Sequence, residues 1–521
     1  MTENVIYSYF PDVAGEKIIE SLYNKFKWNP SFIIKSNNLT KDFETKFDDV
    51  DHESSINIRR MNLDYKKIGP IKNIDSSILR NLSKFESTYY NWLEETNKFQ
   101  FSINQRTKYF HEILTFWNTI IKNKKISLFV SYTWPHVPSD YLLYLLCKYH
   151  YNIPVLFFDN TPLLNSNRYS INTSLENQSE PFLDFYSKKN LSISDETLSY
   201  IKSVKENNAK KPDHIIKYEN ILNSEYKNFS FIKNVLKLFF SRKLFNNSGY
   251  AFKKNKYFNK KSFMLNNLEY LLFKNKVILN NVRNEKYYLK KCNEIKQNEN
   301  YILFPAPYQP EANSNLAVGV YENISLMLKM IIETKPKNWK VYYKEHPCTF
   351  LPTSKGSLAR NIEFYDEISK LDDLVFISHR KNTFELIDKS KVVCTAGGTA
   401  GWEALLRNIP AIIFGSLWYQ SCKSLFKIDS IKDLKVAFEK IESGYTPDQD
   451  DIKKFTESCF RSSYNSLIRI NDRHTFIEKS NNKLIEHHAN CFYNEYLRSI
   501  LKQNNYIEPY KLNYNNGKNK Y

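Results

Sequence analysis

Short apolar runs rich in β-branched and aromatic residues recur along the first third of the chain: NVIYSYF (4–10), SFIIKS (31–36), KISLFVSY (125–132) and IPVLFFDN (153–160). Between the last two lies SDYLLYLLCKYH (139–150), whose apolar positions suit a buried helix. Strand, helix and strand in close succession form a βαβ unit, and repeated units predict a parallel sheet with helices on both faces. From 175 to 295 long polar or basic-aromatic segments replace this rhythm. It returns at Tyr301 with YILFPA, the helical NISLMLKMIIETK, then WKVYYKEHP, LVFISH, NTFELIDKS, KVVCTAGG, TAGWEALLRN and PAIIFGS, which reads as a second doubly wound unit. A mostly helical stretch closes the chain. The pattern divides it into an α/β domain over 1–175, a mostly helical basic-aromatic insertion over 176–298, a second α/β domain over 299–430 and a helical tail over 431–521 that packs back across the domains.

Composition changes this picture in one place. The 521 residues, 42% of them hydrophobic, suffice for two or three domains with sizeable cores. The net charge of +19 is uneven: between Tyr226 and Lys291 sixteen Lys or Arg face only Glu269 and Glu285. With aromatics interleaved, this segment suggests an anionic membrane surface rather than nucleic acid, since nothing else resembles a nucleic-acid module. The seven cysteines are scattered without a CxxC pair, which suggests neither a disulfide framework nor zinc and fits a reducing cytoplasm. The N-terminus lacks a basic region followed by an apolar run, and no window is long and apolar enough to span a membrane, so the expected location is cytoplasmic, with peripheral membrane contact at most.

Three of the chain's 11 glycines fall within CTAGGTAGWEALL (394–406), between a predicted strand and a predicted helix. A tight turn at Gly397 and Gly398 followed by a helix start offers backbone N–H groups to an anion, with the hydroxyls of Thr395 and Thr399 beside them. The same glycines also let a helix pack closely on its sheet. The stretch lacks the GxxxxGK[ST] pattern of a nucleotide-triphosphatase loop. Glu403 suits either the helix dipole or the hydroxyls of a ribose.

Two further loops share that address at strand ends. In KEHP, His346, fixed by Pro347, can donate to a phosphate or protonate a leaving oxygen, and Lys344 adds a positive field. In YQPEAN, Gln309 and Glu311 have hydrogen-bonding groups for a sugar or a base. The first domain has SYTWPHVPSDY at the equivalent position, with His136 and Asp140 as candidate bases or helix caps. Two formal DxD matches, Asp49 with Asp51 and Asp448 with Asp450, lie in acidic, loop-like runs and do not suggest a metal site.

The set YQPEAN, WKVYYKEHP and VVCTAGGTAGWEALLRNIPAIIFGSLWY resembles the bacterial capsule polysaccharide biosynthesis family, which includes Kdo transferases; the likeness covers 301–419, and PHVPSDYLLYLL is similar to a feature of the family's first half. The resemblance implies a GT-B-like fold, two facing Rossmann-like domains with the donor nucleotide held mainly by the second. It implies a metal-independent glycosyltransferase of capsular or lipopolysaccharide synthesis, moving a sugar, for which a Kdo-like, CMP-linked one is the family's example, to a glycan or lipid-linked glycan acceptor, with no separate cofactor. His346 and Pro347 match the family's HP motif, and Thr395, Gly397, Gly398 and Thr399 its phosphate loop. The chain departs from the family in its basic segment and in lacking an acidic DDG-like triplet, which leaves the catalytic base open between His136 and Asp140, with His346 the catalytic candidate on the leaving-group side. A CDP-linked polyol-phosphate transferase, a UDP-sugar epimerase and a non-catalytic assembly protein are the alternatives.

Overall fold

The strands of the first half are β1 (Glu3–Ser8), β2 (Trp28–Lys35), β3 (Asp51–Ser54), β4 (Leu128–Ser131), β5 (Val155–Asn160) and β6 (Arg168–Asn172). Those of the second are β7 (Tyr301–Pro305), β8 (Lys340–Lys344), β9 (Leu374–Ile377), β10 (Val392–Thr395), β11 (Ala411–Ile413) and β12 (Phe426–Lys427), and β13 (Tyr464–Asn465) comes from the tail. This computed structural model describes residues 2–10, 12–35, 39–59, 61, 63–96, 103–135, 137–160, 163, 168–206, 263–351, 354–465 and 482–502. The predicted base His136 and most of the basic segment, 226–262, lie outside the described residues.

Two sheets result. The first runs β13-β6-β5-β4-β1-β2-β3 and is parallel except where β6 meets β5 and β13. The second runs β12-β11-β10-β7-β8-β9 and is parallel throughout. Counted from its own first strand, the second sheet has the 3-2-1-4-5-6 order of dinucleotide-binding sheets, and the five parallel strands of the first follow 3-2-1-4-5. The chain is thus a two-part GT-B-like α/β fold. In such sheets ligands bind beyond the carboxyl ends of the strands where the order reverses. Here those points lie between β1 and β4 and between β7 and β10.

Period-two alternation builds both cores. In β1, Val5 and Tyr7 pack with helices Asp12–Phe26 and Asn482–Glu495, whereas Ile6 joins Trp117 of helix Ile103–Asn123 and Leu142 of helix Pro138–Leu145 on the other face. In the second half Leu303, Tyr342 and Val393 face helices Asp195–Lys205, Ala400–Leu406 and Gln449–Ser462. Ile302, Phe304, Val341, Tyr343 and Cys394 face helices Ile324–Thr334 and Ile431–Glu442. Residues 180–205 therefore belong with the second core, although they precede its first strand by about a hundred residues of chain.

The tail returns from one half to the other. Helix Gln449–Ser462 packs on helices Leu183–Tyr186 and Asp195–Lys205, β13 joins the first sheet, and helix Asn482–Glu495 lies on helix Asp12–Phe26. Arg498 fastens this end, with ion pairs to Glu495, Glu180 at 3.1 Å and Asp184 at 2.9 Å. A second bridge between the halves is the loop after β7. Leu316 packs against the first core, and Asn91 of helix Ser76–Thr96 donates to Glu322 at 2.7 Å.

The helical pattern of 399–408 is realised as Ala400–Leu406, and NTFELIDKS forms helix Thr383–Lys389. The pattern passes over β3, whose sequence DHES is polar and only partly buried at the sheet edge, and over the very short β12 and β13. Asp51 departs from the loop-like reading by beginning β3, whereas Asp448 is the helix start that its place after Pro447 suggests: it caps helix Gln449–Ser462 by accepting from the backbone N–H of Asp450 and Asp451.

Candidate active site

At the second switch point the strand β8 parts two neighbouring charges. Alternation sends Lys344 to the face of Tyr342 and Glu345 to the face of Tyr343. Lys344 is only 5% exposed, and among the described residues no acidic side chain comes within ion-pairing distance of it. Desolvation lowers its pKa to about 8, opposed by the field of Glu345 across the strand. A buried ammonium without a counterion is costly, and an anion seated beside it removes that cost.

His346 follows at the cap of the four-residue 3-10 turn Pro347–Phe350. Its Nδ1 accepts the Cys348 N–H at 3.1 Å, which places the proton of the neutral ring on Nε2. Pro347 suits the first turn position because its missing N–H would have no partner there. The Tyr308 ring, on the loop after β7, lies 6.0 Å from the histidine ring, and its hydroxyl accepts from the Lys355 N–H at 3.0 Å.

The glycine turn completes this end of the sheet. Thr395 is fully buried, and its hydroxyl donates to the Gly397 carbonyl at 2.6 Å, so it closes the turn. Gly398 adopts φ +86° with open space where a Cβ would stand, a left-handed conformation natural to glycine. At Gly401 a Cβ would meet the Tyr419 hydroxyl at 2.6 Å, so this glycine serves close packing, and the same hydroxyl donates to the Gly398 carbonyl at 3.0 Å. Thr399 donates to Glu403 at 2.6 Å. Desolvation raises the Glu403 carboxyl above its usual range, offset by the Thr399 hydroxyl and the field of Arg407.

The remaining donor-side candidates divide by role. Gln309 is buried, and its amide donates to the carbonyls of Ser314 at 2.9 Å and Glu322 at 3.0 Å, so this side chain braces its own loop. Glu311 is exposed at the rim of that loop; surrounding atoms raise its carboxyl pKa by desolvation, but solvent reaches it and the shift carries no energetic weight.

At the first switch point the chain after β1 meets the helix after β4. Asp140, in the first turn of helix Pro138–Leu145, is 1% exposed. Burial pushes its pKa up to about 6 against the pull of the Arg59 guanidinium and the hydroxyls of Ser139 and Tyr9. Oδ1 accepts from Ser139 at 3.0 Å, whereas Oδ2 has no partner of good hydrogen-bond geometry. A buried carboxyl whose pKa lies near 6 can hold or release a proton close to neutral pH.

Sequence reasoning did not single out Tyr9, Arg59, Tyr308, Glu345 or Tyr419. Glu345 alone had a visible signal: in WKVYYKEHP it continues the buried alternation of Val341 and Tyr343, so a carboxylate was headed into a core. Among the described residues no group of three or more His, Cys, Asp and Glu side chains is gathered as a metal site would be. No helix among them is long and apolar enough to cross a membrane, and the seven cysteines are free.

Comparison with solved structures finds enzymes of low identity. A UDP-GlcNAc 2-epimerase from Methanocaldococcus jannaschii is 13% identical over 88% of this chain and 99% of its own, with a TM-score of 0.24. The β-Kdo 2,7 transferase KpsC of Thermosulfurimonas dismutans is 10% identical over 84% and 90%, with a TM-score of 0.28. A glycosyltransferase from Rickettsia africae is 13% identical over 96% and 99%, with a TM-score of 0.23. At these scores the superpositions carry no argument, and the fold rests on the two sheets themselves. No curated protein matches the sequence significantly. Residues 229–422 match the family described as capsule polysaccharide biosynthesis protein. That stretch, less than half of the chain, contains the candidate residues from Gln309 to Glu403.

Proposed function

We propose that this protein is a glycosyltransferase of surface-polysaccharide assembly that takes its sugar from a nucleotide-sugar, CMP-linked, and passes it to a hydroxyl of a glycan acceptor. The observation that carries the proposal is the buried Lys344, with no counterion among the described residues, next to His346 at the switch point of a Rossmann-ordered sheet. The donor phosphate sits against the Lys344 ammonium and the His346 Nε2–H, with the open side of the turn at Gly398 and Thr399 beside it and Glu403 toward the ribose. The acceptor hydroxyl forms the new glycosidic bond as the bond from sugar carbon to phosphate oxygen breaks. The phosphate leaves with the electron pair, and Asp140 takes the hydroxyl proton. Lys344 and His346 stabilise the charge that grows on the leaving phosphate, the role a divalent metal plays elsewhere.

A thermal-shift series with CMP, CDP, UDP and GDP tests the donor, because a ligand of the native state raises its melting temperature by mass action. CMP is expected to give the largest rise and transfer to survive exhaustive EDTA treatment. No response to any of the nucleotides would overturn the reading. UDP alone would favour the epimerase alternative, and CDP alone the polyol-phosphate transferase.

The acceptor is proposed to be lipid-linked and reached from the cytoplasmic face of an anionic membrane, with the basic segment 226–291 as the contact on the strength of its charge and aromatics in the sequence, except for the face of helix Phe263–Lys291 that buries Asn281, Asn284 and Tyr288 against the second domain. The protein should sediment with anionic vesicles, less in high salt, and less again when Lys253, Lys254, Lys256, Lys260 and Lys261 are changed to Gln. Equal partitioning onto neutral and anionic vesicles, or none onto either, ends that part of the proposal.

A further inference from the structure

Behind His346 lies a buried ionic network that the proposed chemistry does not itself use. Glu345 is fully buried, and its carboxylate is saturated from two sides. Oε2 accepts from the hydroxyls of Tyr343 at 2.7 Å and Tyr365 at 3.1 Å, with Arg360 Nε at 3.3 Å. Oε1 accepts from the His346 N–H at 3.0 Å and the Thr349 hydroxyl at 3.2 Å. The Glu345 N–H donates to the Tyr288 hydroxyl at 2.9 Å, which donates in turn to the Ile377 carbonyl at 2.6 Å. Arg360 is itself buried, and its carbonyl is held by Asn284 of helix Phe263–Lys291 at 2.6 Å.

One oxygen of Glu345 thus faces fixed core groups, and the other faces the loop that carries His346. That loop has a single turn of 3-10 helix, too short to hold its own position. Buried ion pairs contribute little net stability compared with apolar residues of the same volume, so stability alone does not account for a charge here. We propose that Glu345, held by Arg360, is a positioning residue that fixes the histidine loop and so aims the His346 Nε2–H at the leaving phosphate. The role rests on the assignment of His346 made above, and it acts through that residue rather than on the substrate.

The test is a double-mutant cycle on the full chain, reading kcat and donor KM for Glu345→Gln, Thr349→Val, Thr349→Ser and His346→Ala, alone and combined. Glu345→Gln should lower kcat by about 10- to 100-fold, the scale on which small misplacements act. Thr349→Val, which removes one hydroxyl while keeping the shape, should lower kcat less, and Thr349→Ser should retain it. In a His346→Ala background the Glu345→Gln and Thr349→Val changes should cost nothing more. Equal losses in both backgrounds, or a lower melting temperature with kcat per folded molecule unchanged, would overturn the positioning role while leaving His346 in place. Full activity of His346→Ala itself would instead overturn the assignment on which the role depends. If Glu345→Gln does not fold, the Thr349 pair of variants decides the question.

Discussion

The two switch points bury ionisable groups of opposite sign. Between β1 and β4 burial lifts the Asp140 carboxyl to about 6, and beside β7 and β10 burial lowers the Lys344 ammonium to about 8. The same physical cause, loss of hydration of the charged form, moves the two groups toward each other and toward neutrality. The surroundings differ. Asp140 has one well-formed hydrogen bond, from Ser139, whereas the second site is framed by a closed glycine turn, a braced loop after β7 and the carboxylate network behind His346. In the mechanism proposed above Asp140 only takes up a proton, which needs little scaffolding, whereas Lys344 and His346 would have to match the oxygens of a departing phosphate, and such stabilisation depends on donors already in place.

This contrast is most directly broken by removing one group from each site. Lys344→Met or His346→Ala should lower kcat by roughly 10²-fold or more by taking away leaving-group stabilisation; unchanged turnover in a folded variant would detach the second site from the chemistry. Asp140→Asn should lower kcat by roughly 10²- to 10⁴-fold, as for loss of a general base, while nucleotide binding measured by calorimetry stays as in the unaltered protein. A parallel loss of nucleotide affinity would contradict the division of labour between the halves.

The pH profile sharpens the comparison further. Activity should rise as Asp140 loses its proton through about pH 6 and fall as Lys344 loses its charge above about pH 8, giving a bell in kcat/KM. Lys344→Met should remove the alkaline limb from what activity remains, and Asp140→Asn the acid limb. Nucleotide binding near pH 8.5 should take up a fraction of a proton as the phosphate restores the ammonium, visible by calorimetry in buffers of different ionisation enthalpy and absent in Lys344→Met.

The smallest expected effect concerns stability and has the same sign in both halves. The Lys344 pKa is lower in the fold than the usual 10.5, so its charge destabilises the fold fully below about pH 8 and progressively less as pH rises toward 10.5. At about 1.4 kcal/mol per pH unit the upper bound is roughly 3 kcal/mol. The Asp140 pKa is higher in the fold than the usual 3.8, so its destabilisation is absent at low pH and fully present above about 6. At pH 7, where both penalties apply, Lys344→Met and Asp140→Asn should each unfold no lower than the unaltered protein, with a rise of about 1–3 °C for the lysine. A clear fall in melting temperature for either would show that its charge is compensated in the fold.

Much of the second site was legible because its chemistry is local. KEHP and the glycine turn occupy consecutive positions at strand ends, so periodicity and turn chemistry were enough to single out Lys344, His346, Gly398 and Thr399. Gln309 and Thr395 show where that reasoning stops. Both are polar, both sit in the expected loops, and both spend their donors on carbonyls within those loops. Sequence position locates a loop but does not say whether a side chain faces outward or braces the turn.

The sequence by itself determined two doubly wound α/β units, the strand-end addresses of the candidate residues and the concentration of positive charge over 226–291, because alternation, turn residues and charge are properties of short windows. Only the tertiary structure decided that Tyr9 and Arg59 surround Asp140, that Lys344 is buried with no counterion among the described residues while Glu345 one residue later is saturated with donors, and that the tail returns a strand to the first sheet. Each of those outcomes depends on which distant segments exclude water from a given group. Desolvation and hydrogen-bond satisfaction are set by the neighbours packed around a side chain, and those neighbours lie up to several hundred residues away in the chain.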